Sequence, residues 1–230
     1  MTAMVLLARG GDPLIAVAIV AGIILLVVLA FWFERRRKRA IHEALRARGF
    51  VVQEKERPFD PVEDAPIANN PLLRYKRNAV RWSAMGEHKG NVVRLFEYRF
   101  VTGGGKSQQT HVFLFASIEL PAGVPEFTIE RKRWLMSHRP EIKAEPAPVD
   151  DARIGQSFAC YTADPTGAAA MLLPAVCDEL ATWDKNRMLR FGNGFLSIGW
   201  RGSPKAAQID GMLDTLDRVF AATLAGLNAA

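Results

Sequence analysis

Residues 91–120 read NVVRLFEYRFVTGGGKSQQTHVFLFASIEL. From Asn91 to Val101 the side chains alternate, with Phe96, Tyr98 and Phe100 on one face and Arg94 near its edge. From Thr110 to Leu120 the alternation resumes, with Val112, Leu114, Ala116, Ile118 and Leu120 sharing a face. A period of two marks a pleated strand, because successive side chains project to opposite sides. Gly103, Gly104 and Gly105, followed by Lys106 and Ser107, interrupt the pattern, so the two runs are expected to form a β-hairpin.

Further strands surround this hairpin. Val80, Trp82 and Ala84 alternate with Arg81 and Ser83, and Gly86 to Gly90 (GEHKG) reads as a turn. Downstream, Pro121 and Pro125 end the hairpin, and Phe127, Ile129 and Arg131 begin another short strand. Ser137–Asp151, rich in proline and charge, is expected to be a long surface loop. Phe158, Cys160 and Thr162 alternate once more. Asp164 before Pro165 then supplies an N-cap and a first-turn proline for a helix, which Pro174 should kink or divide. Met188 to Phe191 and Phe195 to Trp200 flank Gly192, Asn193 and Gly194, a second hairpin signal. Ile209, Leu213, Leu216, Val219 and Phe220 recur at steps of three and four within an amphipathic helix from about Pro204 to Leu227. The fold class expected is α+β, with a largely antiparallel sheet shared by both halves of residues 50–230 and covered by C-terminal helices.

Upstream of the strands the pattern is different. Leu14 to Phe33 (LIAVAIVAGIILLVVLAFWF) holds no charge. At ~1.5 Å per residue these residues span roughly 30 Å, the thickness of a bilayer's hydrocarbon core. The run exceeds the apolar core of a secretory signal and ends in Phe31, Trp32 and Phe33, aromatics suited to a membrane interface. Residues 14–33 are therefore expected to form a transmembrane helix. Arg35, Arg36, Arg37, Lys38 and Arg39 follow directly, opposed on the other side only by Arg9 and its neighbour Asp12. Basic flanks stay in the cytoplasm, so residues 1–13 are expected outside, 34–49 as a basic juxtamembrane helix, and 50–230 inside. The same block is the candidate site for anionic lipid headgroups. Helical spacing of Ile41, Ala44 and Leu45 up to Gly49 extends the membrane helix to about Arg48. The segment from Arg57 to Pro71, with four prolines, reads as an irregular connector near the domain surface.

Charge placement narrows the function. The chain carries +6, from 30 Lys and Arg against 24 Asp and Glu. Glu34 to Arg57 alone holds nine basic and four acidic residues, and the remainder from Pro58 onward is nearly balanced. A nucleic-acid surface needs positive charge spread over a folded face, so no nucleic-acid partner is expected. GGGKS resembles the end of a phosphate loop, but Phe100 stands where the motif requires glycine and a strand follows where it requires a helix. Cys160 and Cys177 lack metal-ligand spacing and are expected to be buried, reduced core residues. His42, His88, His111 and His138 are scattered singly, so no metal or cofactor is expected. No nucleophile elbow or paired-carboxylate pattern stands out.

The arrangement as a whole supports one resemblance. An apolar span, then Gly86–Gly90 before V-V-R-L-F-E-Y-R-F, a glycine turn, a strand ending at Leu120–Pro121, F-x-x-x-x-A-D-P from Phe158 to Pro165, and M-L-L-P from Met171 to Pro174 resembles a family of bacterial single-pass membrane proteins of unknown function. That resemblance implies a plasma-membrane location and transfers no catalytic residue. Three functions follow as expectations. The first is a scaffold or protein-binding module tethered to the plasma membrane. The second is an anionic-lipid sensor in which Arg46, Lys106, Arg131, Lys132 and Arg133 assist Arg35–Arg39. The third is an enzyme with residues such as His111, Asp164 and Asp184 meeting in a cleft.

Overall fold

The computed structural model describes residues 13–70, 78–132, 146–147, 149–184, 186–202 and 205–227. It divides into two units, residues 1–43 and 44–230.

The first unit is most of helix α1, Pro13–Arg46. From Leu14 to Phe33 its large apolar side chains are exposed, Leu14 at 75% and Phe31 at 70%, so no described residue covers them. Among the described residues this is the one helix long and apolar enough to cross a membrane. As expected, the helix continues unbroken through the basic block.

The second unit is an α+β domain around one ten-stranded sheet, antiparallel at every pairing described. Its strands are β1 (Val51–Gln53), β2 (Arg57–Pro58), β3 (Asn78–His88), β4 (Asn91–Thr102), β5 (Gln109–Glu119), β6 (Phe127–Arg131), β7 (Pro146–Ala147), β8 (Phe158–Thr162), β9 (Arg187–Gly192) and β10 (Phe195–Arg201). They lie in the order β1-β3-β4-β5-β10-β9-β6-β8-β7, and β2 pairs with β3. The β9–β10 hairpin is inserted between β5 and β6, so both halves of the sequence share one sheet. The turn expected across Gly86–Gly90 is shorter: β3 runs to His88, and only Lys89 and Gly90, at φ 49° and 83°, make the reversal. Asn193 and Gly194, at φ 54° and 77°, turn the second hairpin in the same way.

The helices are α2 (Ala152–Gly155), α3 (Pro165–Met171), α4 (Pro174–Ala181) and α5 (Ile209–Leu227). Asp164 caps α3 by accepting from Gly167 N at 2.9 Å, and the chain divides before Pro174, whose ring cannot sit inside a continuous helix. Ile209, Met212, Leu213, Leu216 and Val219 form the buried stripe of α5. They cover the sheet face that carries Leu95, Ala116, Ile198, Leu189 and Ile129 in one cross-strand row, all five buried.

The opposite face is apolar too, which the expectation of a sheet covered by helices alone did not include. Phe96, Tyr98 and Phe100 from β4 meet Phe113 and Phe115 from β5 in a ladder of rings with centroids 5.4–5.8 Å apart between strands or along them. The segment from Arg57 to Asn70, expected near the surface, lies there with Pro58, Asp60–Glu63 and Asn69 exposed, and it is also the cover of this face. Ile67 and Ala68 are buried with Asp64 and Asn70, and Phe59 packs edge-on to Tyr98 at 5.7 Å. Its carbonyl groups find donors on the sheet: Arg190 Nη2 donates to Ala68 O at 2.9 Å, Asn193 Nδ2 to Ala65 O at 2.8 Å, and Ser197 Oγ to Pro66 O at 3.2 Å. Irregular backbone can be buried when its polar groups are satisfied in this way. Most of the loop expected over Ser137–Asp151 lies outside the described residues; within it, Pro146–Ala147 pairs with β8.

Candidate functional site

Near the free end of the sheet the aromatic ladder gives way to a groove of about 290 Å³, lined by Val51, Met85, Arg94 and Phe96 from the strands and by Glu63 and Pro66 from the covering segment. Register explains the assembly. Val51 pairs with Met85, Met85 with Arg94 and Arg94 with Ser117, so these side chains form one row on one face. One wall is anchored by Asp64, which is buried and takes two hydrogen bonds from Arg57, at 2.7 and 2.8 Å, and one from Asp60 N at 2.9 Å. Glu63 adds a second carboxylate at 3.3 Å from Arg57. Arg94 lies 5.1 Å over the Phe195 ring.

Two of the domain's exposed apolar side chains also line the groove. Among the described residues of the second unit, the large apolar side chains left exposed are Val51, Val62, Met85 and Val92. Val51 and Met85 line the groove, Val62 precedes its wall residue Glu63, and Val92 lies two residues from Arg94 on the same face of β4. Sequence alternation did not single out Met85 or Val92, because it could not show where the cover over this face ends.

The candidates drawn from the sequence fall elsewhere. Arg35, Arg36, Arg37, Lys38 and Arg39 all lie on α1; Arg36 sits 5.3 Å over the Trp32 ring, and Arg37 pairs with Glu34 at 3.0 Å. Lys106 is in the β4–β5 turn, Arg131 stacks on Phe158 at 5.5 Å, and Lys132 donates to Gly155 O at 2.6 Å. Arg133 lies outside the described residues. Three strand steps separate β5 from β6, roughly 14 Å at the usual spacing, so the sheet does not gather these residues into one basic patch.

Of the three residues named for an enzyme, Asp164 lies far from His111. Arg201 donates to His111 Nδ1 at 3.1 Å, which fixes the ring proton on Nε2, where it is donated to Thr102 Oγ1 at 2.8 Å. Asp164 is the α3 cap, at the end of a strand four steps from β5 and so roughly 19 Å across the sheet from His111. Asp184 accepts from Asn186 N at 3.1 Å.

A grouping the sequence did not suggest joins the β3–β4 turn to α5. His88, Asp214 and Asp217 bring ligand-type atoms within 4.8 Å of one another. Lys89 Nζ bridges both carboxylates at 2.9 Å, and His88 Nε2 is 3.0 Å from Asp217. An ammonium thus occupies the position a cation would take, and the arrangement acts as a clasp on the helix. Hydrogen bonds from Lys89 and Arg48 hold Asp214 and Asp210 below the usual carboxylate range.

Cys160 and Cys177 are free and buried, and burial pushes both thiols up to about 11. Unfolded thiols ionise near pH ~8.5, so the folded state retains these protons and its stability falls as pH climbs through and beyond that value. A maleimide at pH 7.5 is expected to label neither until denaturant is added. Labelling at the denatured rate under native conditions would refute the burial.

No family model matches the chain, and no curated protein does. Among solved structures, the crystal structure of the mycobacterial trehalose monomycolate transport factor A, TtfA, aligns over 80% of this chain and 92% of its own, with a TM-score of 0.51 and 12% identity. At that identity the likeness is one of fold.

Proposed function

We propose that this protein is a single-pass membrane-anchored accessory factor whose α+β domain binds a protein partner at the cytoplasmic face of a bacterial plasma membrane. The carrying observation is α1, an exposed apolar span that continues as one helix through Arg35–Arg39. An uncovered apolar helix needs a bilayer to surround it, and the five cations on its C-terminal side favour the cytoplasm for all that follows. A binding role is supported by an open groove at the sheet's edge lined in part by the exposed apolar side chains Val51 and Met85. The protein sharing the fold is a transport factor, which makes a membrane transport process the setting we favour.

The test joins topology to partnership. Alkaline phosphatase fused at the C-terminus is expected to be inactive in cells and a fluorescent protein there to be bright; the opposite pair of results would overturn the orientation. Crosslinking in intact cells should capture a protein partner that survives exchange of residues 1–33 for another anchor. Loss of every partner in the wild-type chain would remove the scaffold reading.

A further inference from the structure

Three features of the groove face point the same way. First, two of the domain's exposed large apolar side chains, Val51 and Met85, line it, and a third, Val92, lies on the same face of β4 two residues beyond Arg94. Second, β1 is the last strand of the sheet and pairs only with β3 among the described residues, so no further strand closes this side of the groove. Third, the rim is acidic in a chain whose net charge is +6. Glu87 follows Met85 on the same face of β3, and Glu119 follows Ser117 on the same face of β5; both are exposed and make no ion pair among the described residues. Glu63 and Asp64 already outnumber Arg57 in the wall, leaving Arg94 as the one further cation among the described residues that line the groove, against Glu87 and Glu119 on the same face.

An apolar floor inside an acidic rim repels an anionic leaflet and selects a different occupant. Resting on the scaffold reading above, we infer that this groove docks a cationic apolar peptide segment of a membrane-protein partner. Its large apolar side chains seat over Met85, Val51 and Val92, and its Lys or Arg residues pair with Glu87, Glu119 and Glu63. Segments of this chemistry are what membrane proteins present on their cytoplasmic side, because Lys and Arg flank the inner ends of their helices. An open site of about 290 Å³ suits one or two anchoring side chains surrounded by charge pairs.

The test uses the full chain in zwitterionic nanodiscs and a 12-residue Leu/Lys peptide, with a Leu/Glu peptide of the same pattern as control. The cationic peptide should shift the methyl resonances of Met85, Val51 and Val92 and bind at least tenfold more tightly than the acidic one. Glu87→Lys with Glu119→Lys should remove that tenfold preference, and Met85→Asp should abolish binding while the remaining spectrum keeps its native dispersion. Equal affinity for both peptides, or shifts confined to other residues, would overturn the inference. So would the same methyls responding to anionic vesicles instead of the peptide, or to dilution of the protein alone, which would assign the groove to the membrane or to a second copy. If intact-cell crosslinking captures a partner that the Glu87→Lys/Glu119→Lys and Met85→Asp chains retain, the groove assignment fails and the scaffold reading stands. Absence of any partner in the wild-type chain sinks both.

Discussion

Phe115→Ala is expected to lower the stability of the domain by roughly 3–5 kcal/mol, the usual cost of deleting a fully buried aromatic side chain. Phe115 is wholly buried on the face beneath the Arg57–Asn70 segment. Its ring stacks on Phe96 at 5.4 Å and on Phe113 at 5.9 Å, and it also fills the space over Gly199, where an added Cβ would stand 2.6 Å from the ring. Truncation therefore opens a void bordered by rings and by a residue with no side chain to move into it. Phe96 and Phe113 are fixed to their strands and can relax only in part, which places the effect above that of a surface change. Unfolding of the full-length protein by urea, followed by the fluorescence of the buried Trp82 and Trp183, measures it. A loss under about 1 kcal/mol would mean that the ladder is not packed as described.

Arg81→Leu is expected to be of similar size for an electrostatic reason. Glu97 is completely buried in the row that carries Trp82 and Leu114, and Arg81 Nη1 lies 2.8 Å from its Oε1. Removing Arg81 takes away the counter-charge 2.8 Å from a buried carboxylate, at a cost of roughly 3–5 kcal/mol. Arg81→Leu combined with Glu97→Leu removes that carboxylate as well, and the double variant should recover most of the loss. A double variant no more stable than Arg81→Leu alone would show that the pair is not the source of the effect. The pair has a local origin: the register shifts between Val80 and Trp82, and the bulge at Arg81 turns its side chain toward Glu97.

Several parts of this fold were legible in the sequence because the signal and its cause are local. The apolar run Leu14–Phe33 and the basic block behind it set a helix by length and charge alone, and the structure carries that helix to Arg46. Asn193–Gly194 permits positive φ at two successive positions, so the β9–β10 hairpin forms wherever the rest of the chain lies. Asp164, Pro165 and Pro174 mark helix starts through capping and ring geometry that need no distant partner.

The segment Arg57–Asn70 shows where local reading stops. Four prolines between Arg57 and Pro71 announce irregular backbone, and irregular backbone usually lies on a surface. Its docking on the sheet through Pro66–Ala68 depends on donors more than a hundred residues away in sequence, Arg190, Asn193 and Ser197, which the insertion of the β9–β10 hairpin beside β5 brings beneath it. The groove follows from the same long-range event. Val51, Met85 and Val92 sit in ordinary strand patterns, and nothing in those patterns distinguishes them from apolar side chains that are covered.

What the sequence by itself determined is therefore the helix long enough for a bilayer, the basic block that follows it, the α+β class and the hairpins. Each depends on residues within a few positions of one another. Only the tertiary structure decided the strand order, the docking of the proline-rich cover and the site at which that cover ends. Those depend on pairings between distant strands, whose choice is set by mutual packing and by satisfaction of buried polar groups, and neither is written in a local pattern.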